Sequence, residues 1–111
     1  MGKVANIAGP AQSDVIRKNL AQINRANFMV RSVHNPIRQQ IISLLLSNGK
    51  CAVQELCKKM KVEQSIMSQH LGVLREADLV TFKRAGKHIF YSANKANLKE
   101  LVDNVRKVAS I

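Results

Sequence analysis

The clearest hydrophobic pattern in the chain lies between Val53 and Leu79. Val53, Leu56, Cys57 and Met60 are spaced i, i+3, i+4, i+7, which is one face of a helix. Met67, Leu71, Leu74 and Ala77, spaced i, i+4, i+7, i+10, mark one face of a second helix after a break at Lys61-Val62-Glu63. Two short amphipathic helices joined by about three residues predict a helix-turn-helix. The same pattern alone also suits two ordinary helices of a small bundle. The outward positions of the second helix are Gln64, Ser65, Ile66, Ser68, Gln69, Gly72 and Arg75. That face is polar and small, with the donors and acceptors that read base edges and phosphates.

The flanking patterns predict the other elements. Ser13-Asp14 can cap a helix from about Val15 to Val30, striped by Ile16, Leu20, Ile23 and Val30. Asn35-Pro36 starts a second helix, with Ile37, Ile41, Leu44 and Leu45 inward, and Asn48-Gly49 stops it with a left-handed glycine. After the helix-turn-helix, two β-rich runs, 79–83 and 88–92, flank a turn at Arg84-Ala85-Gly86-Lys87, the signal of a hairpin. Its tip carries Lys83, Arg84 and Lys87. Asn94 can cap a last helix from Lys95 to about Val108, whose seam is Leu98, Leu101, Val102, Val105 and Val108.

This order, α-α-α-α-β-β-α, is that of a mainly helical winged helix-turn-helix with a β-hairpin wing. One domain over 13–111 is expected, preceded by a loose segment at 1–12 punctuated by Gly9-Pro10. The apolar seams of the terminal helices predict a homodimer, its interface formed by Ile16, Leu20, Ile23, Leu98, Leu101, Val102 and Val105. A two-fold axis would set two recognition helices one DNA turn apart, about 34 Å.

Charge sharpens the picture. Eighteen basic against seven acidic residues give a net charge of +11, which favours a polyanionic partner through phosphate contacts and counterion release. The expected partner is double-stranded DNA, read by Gln64, Ser65, Ser68 and Gln69 and held along its backbone by Arg75, Lys83, Arg84 and Lys87. The alternative is a winged-helix protein-interaction module with incidental charge. An enzyme is not expected, since no paired carboxylates, nucleophile–base set or phosphate-cradling glycine loop is present. No apolar run approaches the roughly 18 residues of a membrane span, and no signal-peptide core opens the chain, so a cytoplasmic protein without a membrane partner is expected.

Several strings resemble the arsenic-repressor (ArsR/SmtB) family of bacterial winged-helix regulators. They are His34-Asn35-Pro36-Ile37-Arg38, Val53-Gln54-Glu55-Leu56, Gln64-Ser65-Ile66-Met67-Ser68-Gln69-His70-Leu71, Leu74-Arg75-Glu76-Ala77, Leu79-Val80 and Phe90-Tyr91-Ser92. The resemblance covers about residues 30–92. It implies a homodimeric repressor on a palindromic operator, released by an inducing signal. Two positions depart from the pattern. Asp78 stands where the family usually has glycine, and Asp tolerates the left-handed turn better than most residues. Glu63 stands where a short cap residue is usual. Its charge repels phosphate, so it is expected to point away from the DNA backbone.

The family's metal sites use a Cys-x-Cys pair on the third helix, or His and carboxylate ligands on the last. Here the corresponding positions read Ala52 and Gln54, and the last helix offers only Glu100 and Asp103, which can pair with Lys99, Arg106 or Lys107. No metal site and no cofactor is expected, and these residues name no inducer. Cys57 reads as a buried structural thiol on the apolar stripe. Cys51 is the candidate for a redox role. If both were helical, the six residues between them would span about 9 Å, beyond the roughly 7 Å limit for a disulfide; Cys51 can instead lie in a strand-like lead-in, which keeps the redox role open.

Overall fold

The computed structural model describes the backbone of residues 10–109 and the side chains of residues 14–107. Helix α1 is Pro10–Val33, α2 Pro36–Asn48, α3 Val53–Met60, α4 Gln64–Glu76 and α5 Lys95–Ala109; strands are β1 Lys50–Ala52, β2 Val80–Ala85 and β3 His88–Ala93. The fold is the expected winged helix-turn-helix, mainly helical with a β wing. It has one strand more than the pattern predicted. Three residues, Lys50–Ala52, pair antiparallel with β3, Cys51 opposite Tyr91, giving the sheet order β1-β3-β2. The sequence offers only a strand-like lead-in at Cys51, because three residues carry too little alternation to define a strand.

Capping explains most helix ends. Asn35 Oδ1 accepts from the N–H groups of Ile37 and Arg38, at 2.9 and 3.1 Å, and Pro36 opens α2. Gly49 closes α2 at φ +84°, its N–H on the Leu45 carbonyl, although its ψ of −74° is not that of the left-handed helix. The Glu55 carboxylate accepts from the Ala52 N–H at 3.1 Å at the start of α3. Asn94 Oδ1 accepts from the Asn97 N–H at 3.2 Å and caps α5. Asp78 takes φ +57°, so the turn leaving α4 keeps the left-handed form without glycine. Glu63 precedes α4, is exposed and makes no cap hydrogen bond.

Helix α1 begins earlier than expected. It starts at Pro10, which lacks an N–H and suits a first helical position. Ser13 and Asp14 therefore lie inside the helix, and the loose segment expected over 1–12 is helical from residue 10. Residues 1–9 fall outside the described residues.

The core joins Met29 of α1, Ile41, Ile42 and Leu45 of α2, Leu56 of α3, Met67, Leu71 and Leu74 of α4, Leu79, Val80 and Tyr91 of the sheet region, and Leu101 of α5. Helix α1 is about 36 Å long at 24 residues. Residues 14–25 are exposed along it. The radius of gyration is 18.6 Å, against about 13 Å for a compact domain of this size.

Leu101 corrects the expected interface. It is 7% exposed and belongs to this chain's own core, and Leu98 packs partly buried beside it. The reason is that α5 lies back along α1, with Arg25 3.8 Å from Glu100. Arg25 was not among the partners expected for Glu100. Ile16, Leu20 and Ile23 of α1 and Val102 and Val105 of α5 stay about half exposed. Val108 lies outside the described side chains.

Candidate nucleic-acid interface

Helix α4 buries Met67, Leu71 and Leu74 and leaves Gln64, Ser65, Ser68, Gln69 and Arg75 exposed. The 3.6-residue period turns one stripe to the core and commits the opposite one to solvent. Beside it stands the wing. Its turn is shorter than predicted: Ala85 pairs with His88, so only Gly86 and Lys87 connect the strands. Gly86 takes φ +64° and Lys87 has no positive φ, the pattern of a type II′ hairpin turn. Lys83 and Arg84 are therefore on β2 and not at the tip.

Strand alternation then separates these cations. Arg84 pairs with Ile89 and Phe82 with Tyr91, on the sheet face that meets α4; Lys83 pairs with Phe90 on the other face. A cleft of about 270 Å³ between α4 and the wing is lined by Val53, Gln54, Gln64, Ser68, Leu71, Arg75, Lys87, Ile89 and Tyr91. The fold thus gathers Gln64, Ser68, Arg75 and Lys87 around one opening. Ser65 and Gln69 lie further round the exposed surface of α4. Lys83 borders a second hollow of about 290 Å³ with Lys50, Phe90 and Ser92.

Three contacts hold the wing in place. The Arg75 guanidinium lies 5.1 Å from the centroid of the Phe82 ring. Phe82 and Tyr91 rings pack at 5.8 Å. His88 Nδ1 and Gln54 Oε1 are 3.3 Å apart, linking β3 to α3. Gln54 and His88 were not singled out for this surface. In the sequence Gln54 belongs to the family-like string 53–56 and stands where a metal ligand is missing; its place in the cleft depends on the wing folding back over α3. Lys50 was also missed; its ammonium sits 5.2 Å from the Phe90 ring centre.

Burial of the two cysteines is the reverse of that expected. Cys51 is 1% exposed on the core side of β1, and its sulfur accepts from Asn48 Nδ2 at 3.7 Å. A thiol enclosed in this way lacks the access that a redox centre needs. Cys57 is only partly buried at the edge of the core. Among the described residues no group of three or more His, Cys, Asp or Glu is arranged to hold a metal ion. No helix is long and apolar enough to cross a membrane.

On the side of α4 away from the wing, His70 reaches a neighbour on another helix. Arg38 Nη1 of α2 lies 3.1 Å from His70 Nδ1. Burial, and secondarily the Arg38 charge, lower the imidazole below its ordinary value of 6.5. A neutral ring can accept from the guanidinium through Nδ1.

Residues 35–81 match the model of the bacterial regulatory protein, arsR family. A Transcriptional activator HlyU of Vibrio cholerae serotype O1 is 28% identical over 99 residues, covering 89% of this chain and 88% of that protein. A Biofilm growth-associated repressor of Xylella fastidiosa is 32% identical over 80 residues, covering 72% and 69%. Solved structures agree: HlyU from Vibrio cholerae N16961 superposes with a TM-score of 0.65 at 27% identity over 81% of this chain and 97% of that one. The transcriptional repressor BigR from Xylella fastidiosa gives 0.62 at 28% identity over 83% and 94%. The matched segment runs from the Asn35 cap through the recognition helix into the wing, and the chain belongs to the arsR family of bacterial transcriptional regulators and is not an enzyme.

Proposed function

We propose that the chain works as a homodimeric repressor that binds a palindromic operator in the major groove. The observation that carries this reading is the cleft between α4 and the wing, where Gln64, Ser68, Arg75 and Lys87 converge without a carboxylate among the lining residues. Gln64, Ser65, Ser68 and Gln69 meet base edges or nearby phosphates, and a glutamine can bridge adenine by two hydrogen bonds. Arg75, Arg84 and Lys87 hold one backbone, and Lys83 acts from the outer face of the wing. The net charge of +11 supplies the long-range attraction.

The dimer rests on the exposed apolar residues of α1 and α5: Ile16, Leu20, Ile23, Val102 and Val105. Contiguous apolar surface of this kind marks an interaction site. The repressor sense follows relatives at 30% identity or more that are named repressors. The site of action is the cytoplasm, where bacterial DNA lies. A protein-interaction module gains no support from the family or from the polar face of α4.

Selection of duplexes from a random library by the purified protein tests the proposal. The expected product is an inverted repeat with half-site centres about 10 base pairs apart or a multiple of that. A pool without an enriched motif, or with single unpaired half-sites, contradicts it.

A further inference from the structure

On the flank of α4 opposite the wing, α1, α2 and α4 enclose a shallow pocket of about 270 Å³, lined by Phe28, Arg31, Ser32, Arg38 and Val73. That is near the lower end for small-ligand pockets, roughly 300 Å³. Its chemistry is two-sided. Phe28 and Val73 are apolar, whereas Arg31 and Arg38 are cations with no carboxylate partner among the described residues. Arg38 is partly buried, and a partly buried guanidinium without an acid is a strong, pre-formed receptor for oxygen anions.

The end of α1 would ordinarily repel an anion through its free carbonyls. Here those groups are engaged. Arg38 Nε donates to the Ser32 carbonyl, Gln39 Nε2 to the Val33 carbonyl at 2.8 Å, and the His34 N–H to the Arg31 carbonyl at 3.2 Å. The buried Ser32 hydroxyl donates to the Met29 carbonyl at 2.7 Å.

We infer that this pocket binds a small organic oxyanion, a carboxylate or phosphate monoester bearing an apolar group, whose oxygens are held by Arg31 and Arg38 and whose apolar part rests on Phe28 and Val73. The site is joined to the recognition helix. Arg38 also ties α2 to His70 of α4 at 3.1 Å. An occupant that draws the guanidinium towards itself competes for that tie. It therefore biases the seating of α4 by its differential affinity for the two arrangements, and DNA must affect the anion in return. Only this coupling rests on the DNA-binding reading; binding of the anion does not.

The test uses the full chain without DNA, with phenyl phosphate and inorganic phosphate as probes, followed by calorimetry and by the His70 imidazole resonances. Phenyl phosphate is expected to bind with a dissociation constant of about a millimolar or tighter. It should bind about tenfold better than inorganic phosphate, because the ring gains apolar cover. It should also shift the His70 signals. Arg31→Gln changes an exposed side chain, leaves the fold intact and should weaken binding at least about tenfold. Lys59→Gln, an exposed cation of α3 remote from the pocket lining, should leave it unchanged. Equal losses in both variants would mean general attraction to a basic protein and would overturn the inference. So would absent binding of phenyl phosphate while Arg31→Gln weakens duplex binding, since the pocket would then be a seat for a DNA phosphate.

Discussion

Arg75 of α4 reaches the wing, its guanidinium 5.1 Å from the centre of the Phe82 ring on β2. The ring in turn packs on Tyr91 at 5.8 Å. A cation over an exposed ring contributes about 0.5–1 kcal/mol, so the contact sets the angle of the wing more than the stability of the fold. Phe82→Ala should weaken operator binding about two- to fivefold by this measure, with the thermal midpoint little changed. Fluorescence anisotropy with a labelled duplex reads the first and scanning calorimetry the second. An unchanged affinity would show that the wing is placed without Phe82.

The two sides of the cleft should separate by the kind of loss they cause. Gln64→Ala in the cleft and Gln69→Ala further round α4 remove groups proposed to meet bases and should alter sequence preference by about 1–3 kcal/mol at single positions. Lys87→Ala, at the turn, should weaken all duplexes alike and reduce the salt slope by about one. Competition assays over a set of single-base operator variants distinguish these outcomes. A uniform loss in the glutamine variants would place them on the backbone.

Leu101 and Leu20 should behave as opposites. Leu101 is core, and its truncation to alanine should cost about 2–5 kcal/mol of stability. Leu20 is 54% exposed on the free half of α1. Leu20→Glu should leave the fold stable, convert dimers to monomers in sedimentation, and weaken operator binding because half the contacts are lost. A Leu20→Glu protein that remains dimeric would move the interface elsewhere.

That contrast marks where the sequence was readable. Periods of 3.6 residues exposed the faces of α3 and α4, while Asn35 and Gly49 announced the two ends of α2 and Asn94 the start of α5 through local hydrogen bonding. The fold class and the polar face of α4 followed from these local signals. Apolar spacing alone did not separate Leu101, which meets its own core, from Val102 and Val105, which remain exposed. That choice depends on how α5 lies along α1, a relation between residues far apart in the chain. The same holds for Gln54 and His88, which meet across 34 positions, and for Arg38 and His70. Cys51 became buried through pairing of β1 with Tyr91, which no period announces.

His70 gives a pH dependence of known sign. Its folded-state value is lowered from 6.5, so the unfolded chain binds more protons as pH falls below that value. Stability should therefore be complete above about pH 7 and decline as the solution is acidified through 6.5, until the folded imidazole itself is protonated. Denaturant midpoints across this range should fall for the unmodified chain and flatten in His70→Gln. An equal decline in the variant would assign the effect to other groups.

The central claim, that a cationic cleft between α4 and the wing grips duplex DNA, is tested most directly by the affinity for the selected operator across salt concentrations. With about 6–10 phosphates contacted by the dimer, binding should weaken about 10³- to 10⁵-fold between 50 and 200 mM salt, linearly on logarithmic axes. A complex indifferent to salt, or no measurable complex at the lower concentration, would contradict the account.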